Sequence, residues 1–490
     1  MAKNDSSAKL CEQSLSHIEK RWQGYHWLPL VYILADYFSV VAAEYAALWL
    51  RNFILPVGAP VIEIPATYTL VILPAVFLVS LRLSASYKRA VPFWKMARSV
   101  FQAILYAILL ITLVLYFGKS GSDVSRLYVG LVWVSSYCFI IGVRYILKRF
   151  LNGGNLLQIP VIFMGAGKTA KLVLKGLTSD TGYGYHVVGF IDDNPKEKEL
   201  VKQFGLLGGF ADTERIIKET GVQHIIITAP GLDPSKLVEI INRIQPIVRH
   251  ISFVPDLIGA PVGNLEVESL FNEKIMVLKV RNNLAYFWNR VLKRAFDLVV
   301  SLVGTVAIMP LLLLLALLVF LDDPGPVIFA HRRIGRRGKS FPCYKFRTMC
   351  VDAEEKLKQY LAENPEARAE WEESYKLKDD PRITRIGGFL RRTSLDELPQ
   401  LINVIKGEMS LVGPRPIVSG EIPKYGECFH DFCLVPPGIT GMWQVNGRSD
   451  TTYEERVSMD SWYVRNWSIW IDIIYLVKTI MVVIKGKGAY

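Results

Sequence analysis

Two adjacent carboxylates, Asp396 and Glu397, follow closely after the arginine pair that begins at Arg391. Acids among cations suit phosphoryl transfer, because one carboxylate can attack phosphorus while the other holds a divalent ion that neutralises a diphosphate. Mg²⁺ is the ion that a carboxylate and diphosphate oxygens bind together. The spacing therefore predicts a magnesium site for phosphorylated substrates, with the roles of the two acids still open.

A purely structural interpretation of the same residues is also open. Ser394 and Glu397 have the spacing of a capping box, and acids in a first helical turn complement the helix dipole. The same helix N-terminus would also attract an anion, and further candidate phosphate donors follow it along the chain. They are Lys406, Arg415 and Arg448.

The segment from His331 to Met349 carries seven lysines or arginines and no acid, so we expect it to meet something anionic. Its first arginines are predicted to contact lipid headgroups. Lys345 and Arg347 alternate along a strand-like run and are predicted to face the site, although a patch that only holds lipid is the alternative. Nucleic acid is not an expected partner, because the patch adjoins an apolar membrane segment.

Four apolar stretches, each near the length needed to cross a bilayer, precede these motifs. Lys and Arg concentrate between the second and third stretches, which places that loop, the tail 1–27 and everything after Arg149 in the cytoplasm. Residues 28–150 are thus predicted to form a four-helix transmembrane bundle in which Asp36 and Glu44 need partners. Four buried helices of a soluble domain are the alternative. The stretches are 28–50, 66–82, 100–118 and 127–147.

A fifth apolar stretch, 298–321, is long enough to span a bilayer, but Pro310 lies in its middle. Positive clusters stand on both sides of it, and a straight crossing would put one of them on the wrong face of the membrane. We therefore predict a re-entrant membrane helix over 291–321 that breaks at Pro310. A fifth full span with a proline kink is the alternative.

Residues 151–280 have the pattern of a Rossmann-like α/β domain. A buried strand at 159–164 leads into the glycine turn Gly165-Ala-Gly167, and further strands are predicted at 187–193 and 224–229. The acidic pair that ends the second strand has the position of a ribose contact. Because one glycine turn is weak support for a nucleotide, a sheet that binds nothing stays open and NAD is not assigned.

Composition narrows the class of protein further. The 490 residues carry a net charge of +12 and are 51% hydrophobic and 21% charged, which excludes a disordered chain and favours a membrane protein that contacts phosphate groups.

Six cysteines without a CxxC pair indicate a reducing compartment. Cys428, His430 and Cys433 lack a fourth zinc ligand at metal-site spacing. The acidic segment 352–380 is predicted to be a solvated, helical insert.

Five motifs, in this order along the chain, resemble the signature of the bacterial sugar transferases, also called polyprenyl-phosphate hexose-1-phosphate transferases or monotopic phosphoglycosyl transferases. The layout of four spans, a Rossmann-like domain and a C-terminal α/β catalytic module over 281–490 is similar to that of the long members of the family. The motifs are Asp322-Asp-Pro-Gly-Pro-Val-Ile-Phe329, Lys345-Phe-Arg-Thr-Met349, Thr393-Ser-Leu-Asp-Glu-Leu-Pro-Gln400, Leu411-Val-Gly-Pro-Arg-Pro416 and Pro437-Gly-Ile-Thr-Gly-Met-Trp-Gln-Val-Asn-Gly-Arg448.

This resemblance implies roles for individual residues. Asp396 would attack the β-phosphorus of a UDP-hexose, release UMP and hold the sugar phosphate covalently until undecaprenyl phosphate displaces it. Glu397 would bind Mg²⁺, in which case it cannot also close a capping box. The residues expected to bind substrate are Lys345, Arg347, Arg391, Arg415 and Arg448.

The resemblance also implies a setting. It places a multi-pass enzyme, expected to be a homodimer, in the bacterial inner membrane with its soluble domains and active site on the cytoplasmic face, where it initiates O-antigen, capsule or exopolysaccharide synthesis. Galactose is the expected hexose and glucose the alternative. Two rival functions stay open: a nucleotide-sugar oxidoreductase or epimerase that uses the Gly165 turn, and a polysaccharide assembly scaffold with an inert transferase module.

Overall fold

The structure is a computed structural model, and it describes residues 28–55, 64–84, 87, 91–117, 125–153, 159–179, 184–256, 265–270, 275–280, 283–374, 377, 380–446 and 451–485. The chain divides into two compact units, residues 1–256 and 257–490. The first unit holds the N-terminal apolar helices and the parallel sheet. The second begins before the hairpin at 265–280, which the sequence analysis had grouped with the middle domain.

The N-terminal apolar stretches form helices, as predicted. Helices α1 (Leu28–Ile54), α3 (Phe93–Phe117) and α4 (Arg126–Gly153) are each long and apolar enough to cross a membrane. The stretch predicted at 66–82 is a shorter apolar helix, in which a π-helical turn runs into α2 (Leu73–Leu83). Pro74 stands at that junction, in the first turn of α2. A proline in the interior of an α-helix would interrupt its hydrogen-bond ladder, because proline has no backbone N–H.

Asp36 in α1 finds its partner in α4. Arg144 donates from Nε to Asp36 Oδ1 at 2.9 Å and from Nη2 to Oδ2 at 2.6 Å, and both side chains are buried. This bidentate pair satisfies both charges and fixes the register of the two helices. Glu44 is equally buried, but neither of its carboxylate oxygens has a hydrogen-bond partner in the described part of the chain.

The middle domain is built on a five-stranded parallel sheet in the order β3-β2-β1-β4-β5, which confirms the predicted α/β architecture. Gly165 follows β1 at φ +105°, and an added Cβ would lie 3.0 Å from the Thr228 backbone, so the turn requires glycine. The elements are β1 (Ile159–Met164), α5 (Lys168–Ser179), β2 (Tyr185–Ile191), α6 (Lys198–Phe204), β3 (Leu206–Gly208), α7 (Thr213–Thr220), β4 (His224–Ile227), α8 (Pro234–Ile244) and β5 (His250–Phe253).

The acidic pair that follows β2 is hydrogen-bonded to the backbone of its own domain. Asp192 Oδ2 accepts from the Ala166 N–H at 2.6 Å, at the glycine turn, and Asp193 Oδ1 accepts from the Phe210 N–H at 2.9 Å. Both carboxylates therefore hold loops together in this structure. The ribose contact suggested by the sequence stays a prediction.

The second unit starts with a hairpin and a bent helix pair. Helices α9 (Phe287–Ala307) and α10 (Met309–Asp322) meet at 65° across Ile308. The other helices and strands of this unit come before and after the pair. They are β6 (Leu265–Leu270) and β7 (Ile275–Val280) before the pair, then β8 (Ile328–Ile334), β9 (Ser340–Phe346), α11 (Ala353–Glu363), α12 (Pro365–Ser374), α13 (Arg385–Thr393), α14 (Gln400–Lys406), β10 (Ser410–Val412), α15 (Ile422–Tyr425), α16 (Phe429–Leu434), β11 (Gly438–Thr440), α17 (Met442–Asn446), α18 (Tyr453–Asn466) and α19 (Ile469–Lys485).

A buried ionic network ties the first turns of α9 to the core of this unit. Lys293 Nζ lies 2.9 Å from Asp472 Oδ2 and 3.9 Å from Asp297 Oδ2, and it donates to the Val412 carbonyl at 3.1 Å. Tyr463 donates to Asp472 Oδ1 at 2.6 Å. Four elements, α9, β10, α18 and α19, are thus joined by one cation.

We predict that Lys293→Met lowers the free energy of unfolding of this unit by about 3–5 kcal/mol, because it leaves two buried aspartates without their cation. Thermal unfolding in detergent measures the effect. Lys339→Met removes an exposed lysine and is the matched control, expected to leave the melting temperature within error. Equal melting temperatures for the two variants would contradict the role of the network.

Candidate active site

Asp396 and Glu397 lie in a 3₁₀ turn, Leu395–Glu397, between α13 and α14. Ser394 precedes the turn with φ +58° and ψ +19°, a left-handed conformation that is uncommon for a residue other than glycine. Its side chain makes no capping hydrogen bond, so the capping box considered from the sequence does not form. The turn instead presents both acids to β9.

Lys345 on β9 joins the two acids. Its Nζ lies 2.7 Å from Glu397 Oε1 and 3.6 Å from Asp396 Oδ2. Burial raises the pKa of Asp396, Lys345 and Arg391 lower it, and the adjacent Glu397 raises it, with a net shift above the usual carboxyl value. Asp396 is therefore a desolvated carboxylate next to cations, the environment in which a nucleophile is tuned.

Arg391 stands on the Asp396 side of the pair, in the last turn of α13. Its Nε donates to Thr348 Oγ1 at 2.9 Å, which fixes the guanidinium near the acid. Burial lowers the pKa of this arginine, and the charges of Asp396 and Asp380 oppose that shift. Arg391 thus places a positive charge close to Asp396.

A basic cleft opens on the Glu397 side of the pair. Arg415 lines it from the loop after β10, and its guanidinium lies 5.6 Å from the ring centroid of Trp443. Three cations and one carboxylate face this space, so it favours an anion. The lining residues are Arg333, Cys343, Lys345, Glu397, Gln400, Arg415, Pro416, Gly438, Ile439 and Gln444.

Arg333 is a site residue that the sequence analysis missed, because it assigned the first arginines of the basic segment to the membrane. In the β8–β9 hairpin Arg333 pairs with Phe341, and Phe329 pairs with Lys345. Alternate residues share a face, so Arg333 lies on the face of Lys345. Burial lowers its pKa, as does Arg415 nearby. Pairing the two strands around the turn at 335–339 is the signal that could have identified it.

The structure does not bring every predicted residue to the acids. Arg347 Nη1 lies 3.0 Å from Asp323 Oδ2 and its Nη2 donates to the Asp323 carbonyl, so this arginine links the end of α10 to β9 instead of facing the cleft. Lys406 donates to Tyr344 Oη at 3.0 Å. Arg448 lies outside the described residues. Among the residues that are described, no three His, Cys, Asp or Glu side chains are grouped as metal ligands.

Comparison with known proteins finds two family models that match the chain. The bacterial sugar transferase model matches residues 288–486, and a CoA-binding domain model matches residues 86–255. The chain is 40% identical to the undecaprenyl-phosphate galactose phosphotransferase of Salmonella typhimurium, covering 81% of this chain and 83% of that protein.

Two further relatives align over most of their length. The UDP-galactose-lipid carrier transferase of Erwinia amylovora is 40% identical over 81% of this chain and 83% of its own. The UDP-glucose:undecaprenyl-phosphate glucose-1-phosphate transferase of Escherichia coli is 31% identical over 74% of both chains. These matches show that the chain belongs to the bacterial sugar transferase family.

Proposed function

We propose that this enzyme transfers hexose-1-phosphate, with galactose as the expected hexose, from a UDP-hexose to undecaprenyl phosphate. The observation that carries the proposal is the acid pair Asp396-Glu397, bridged by Lys345 and flanked by arginines on both sides. The two relatives named for galactose in the comparison above are 40% identical and the one named for glucose is 31% identical, which supports galactose over the glucose alternative.

The proposed reaction has two displacements. A carboxylate oxygen of Asp396 bonds to the β-phosphorus while the bond from that phosphorus to the bridging oxygen breaks, and UMP leaves with the electron pair. A phosphate oxygen of undecaprenyl phosphate then attacks the same phosphorus and returns Asp396 to its carboxylate form. Lys345 and Arg391 would stabilise the charge that develops on the phosphoryl oxygens, and Arg415 would bind a phosphate of the UDP-sugar.

A magnesium ion is proposed at Glu397, a carboxylate that lines the cleft. Its side chain is one-third exposed and lines the cleft, so a carboxylate oxygen can bind Mg²⁺ together with diphosphate oxygens. Bound Mg²⁺ would neutralise the diphosphate. Lys345 shares that carboxylate and would keep its orientation.

The proposed membrane arrangement follows from the helices and the charges around them. We propose that α1 to α4 span the inner membrane and that residues 291–321 enter it from the cytoplasm and return at the break before Pro310, since basic residues flank both ends of the bent pair. The active site would then face cytoplasmic UDP-sugars. A homodimer and initiation of O-antigen, capsule or exopolysaccharide synthesis complete the proposal.

The experiment that tests the function is nucleotide release from purified protein given UDP-galactose, undecaprenyl phosphate and Mg²⁺. UMP release that depends on the lipid is expected, and UDP-glucose in the same assay compares the two hexoses. Release of UDP would mean cleavage of the sugar–oxygen bond and would contradict the mechanism. Nucleotide release from neither donor would favour another sugar or the scaffold function.

We predict that Arg333→Met lowers kcat/KM for the UDP-sugar by about 10- to 100-fold, because a charge-assisted hydrogen bond to a phosphate contributes about 1.5–3 kcal/mol. Steady-state kinetics measure the effect. The adjacent Arg332, an exposed residue on the opposite face of β8, supplies the matched control Arg332→Met. If both variants behave alike, Arg333 acts through general charge and not in the cleft.

A further inference from the structure

Arg415 reaches the cleft from a short loop that follows β10, and one aromatic ring supports its side chain. The Arg415 guanidinium lies 5.6 Å from the centroid of Trp443, and the Arg456 guanidinium lies 4.8 Å from the same centroid. Trp443 is buried. A buried ring in contact with two guanidinium groups restrains both by cation–π attraction.

A buried carboxylate lies next to the backbone of the same loop. Asp460 on α18 is 2% exposed, and the nearby backbone N–H of Arg415 lowers the pKa of this acid. Tyr425 Oη donates to Asp460 Oδ2 at 3.0 Å. Asp460 lies one helical turn after Arg456, so a single face of α18 contacts both the ring that supports Arg415 and the backbone that carries it.

This acid is kept at a cost to the fold. Burial raises the pKa of Asp460 to about 7, and its Oδ1 atom has no hydrogen-bond partner within the described part of the chain. A buried carboxylate with an unsatisfied oxygen lowers the stability of the folded protein, so its presence indicates a role other than folding. Its position beside the Arg415 loop points to such a role.

We propose that Asp460 is a positioning residue for the transfer reaction: it fixes the Arg415 loop so that the guanidinium points into the cleft and binds the anionic part of the UDP-sugar. The inference rests on the proposed function, because it gives the Arg415 loop a task in substrate binding. Asp460 would act through Arg415 and would not contact the substrate itself.

The test is steady-state kinetics of full-length Asp460→Asn and Asp460→Leu with UDP-galactose. Asparagine keeps an acceptor for the Arg415 N–H but loses the charge, whereas leucine loses both. We expect KM for UDP-galactose to rise about 10-fold or more in Asp460→Leu and less in Asp460→Asn, with kcat within about threefold of the wild type in both. Arg415→Met is expected to raise KM at least as much as Asp460→Leu.

Asp431→Asn is the matched control, because Asp431 is also a buried aspartate packed on α18, where it accepts hydrogen bonds from Ser461 and Arg465. It should lower the melting temperature without changing KM. An unchanged KM in both Asp460 variants, alongside a raised KM in Arg415→Met, would overturn the positioning role alone. Wild-type protein without sugar-phosphate transfer would overturn the proposed function and this inference with it.

Discussion

Asp396→Asn is expected to reduce sugar-phosphate transfer at least 10³-fold, with the structure of the site kept. An amide has almost the shape of the carboxylate but cannot form a phosphoryl-enzyme bond, and loss of a nucleophile typically costs several orders of magnitude. Single-turnover release of UMP measures the step in which Asp396 takes part. Activity within 10-fold of the wild type would exclude Asp396 as the nucleophile.

The same variant is expected to be at least as stable as the wild type. The pKa of Asp396 in the folded protein lies above its value in the unfolded chain, mainly because the side chain is buried. Ionisation at neutral pH therefore costs folding free energy, and this cost disappears only as the pH falls below the carboxyl range. Asparagine carries no such cost, so a melting temperature at pH 7 equal to or above that of the wild type is expected. A marked drop would mean that Asp396 serves the fold.

Local features of this chain were predictable from sequence, and long-range pairs were not. The acid pair and Arg391 lie within a few residues of one another, so one short turn brings them together. Arg347 alternates with Lys345 and was predicted to share its role, but Asp323, which belongs to another motif, pairs with it. The packing of the end of α10 against β9 determines whether Arg347 pairs with Asp323 or faces the substrate, and the local sequence does not specify that packing.

The break between α9 and α10 was predicted from one proline, and the structure places it two residues earlier. The sequence located the interruption at Pro310, whereas the helix ends at Ala307 and restarts at Met309, with Pro310 in the first turn of α10. Proline lacks the N–H of the helical ladder and disfavours helical conformation in the residue before it, so it is tolerated at the start of a helix. The bend therefore precedes the proline, and its 65° angle depends on packing that local pattern does not specify.

The partners of the buried charges were also predictable only where they lie close together in the sequence. Asp36 and Glu44 were expected to need partners, and Asp36 pairs with Arg144, which is more than 100 positions away. Lys293 similarly joins Asp297, on its own helix, to Asp472 near the end of the chain. The Lys293–Asp297 contact can be predicted from a spacing of four residues within one helix. No local pattern predicts the Lys293–Asp472 contact.

Lys345→Met is expected to lower kcat/KM about 10²- to 10³-fold at pH 7, the scale seen when one preorganised donor to developing charge is removed. Lys345 contacts both carboxylates, and it is the largest influence that lowers the pKa of Asp396. Its loss leaves two adjacent acids without their shared cation. The variant is expected to lose both electrostatic stabilisation of the phosphoryl oxygens and part of the ionised fraction of the nucleophile.

The pH profile separates these two losses. In the proposed mechanism Asp396 must be ionised to attack, so activity is expected to fall as the pH drops through its raised pKa, and removal of Lys345 is expected to raise that pKa further. The acidic limb of log kcat/KM against pH should therefore move to higher pH in Lys345→Met. Lys345→Arg keeps the charge and should keep the limb in its wild-type position. A limb that stays in place in Lys345→Met would mean that Lys345 binds phosphate without tuning Asp396, since loss of phosphoryl-oxygen stabilisation lowers the rate equally across the profile.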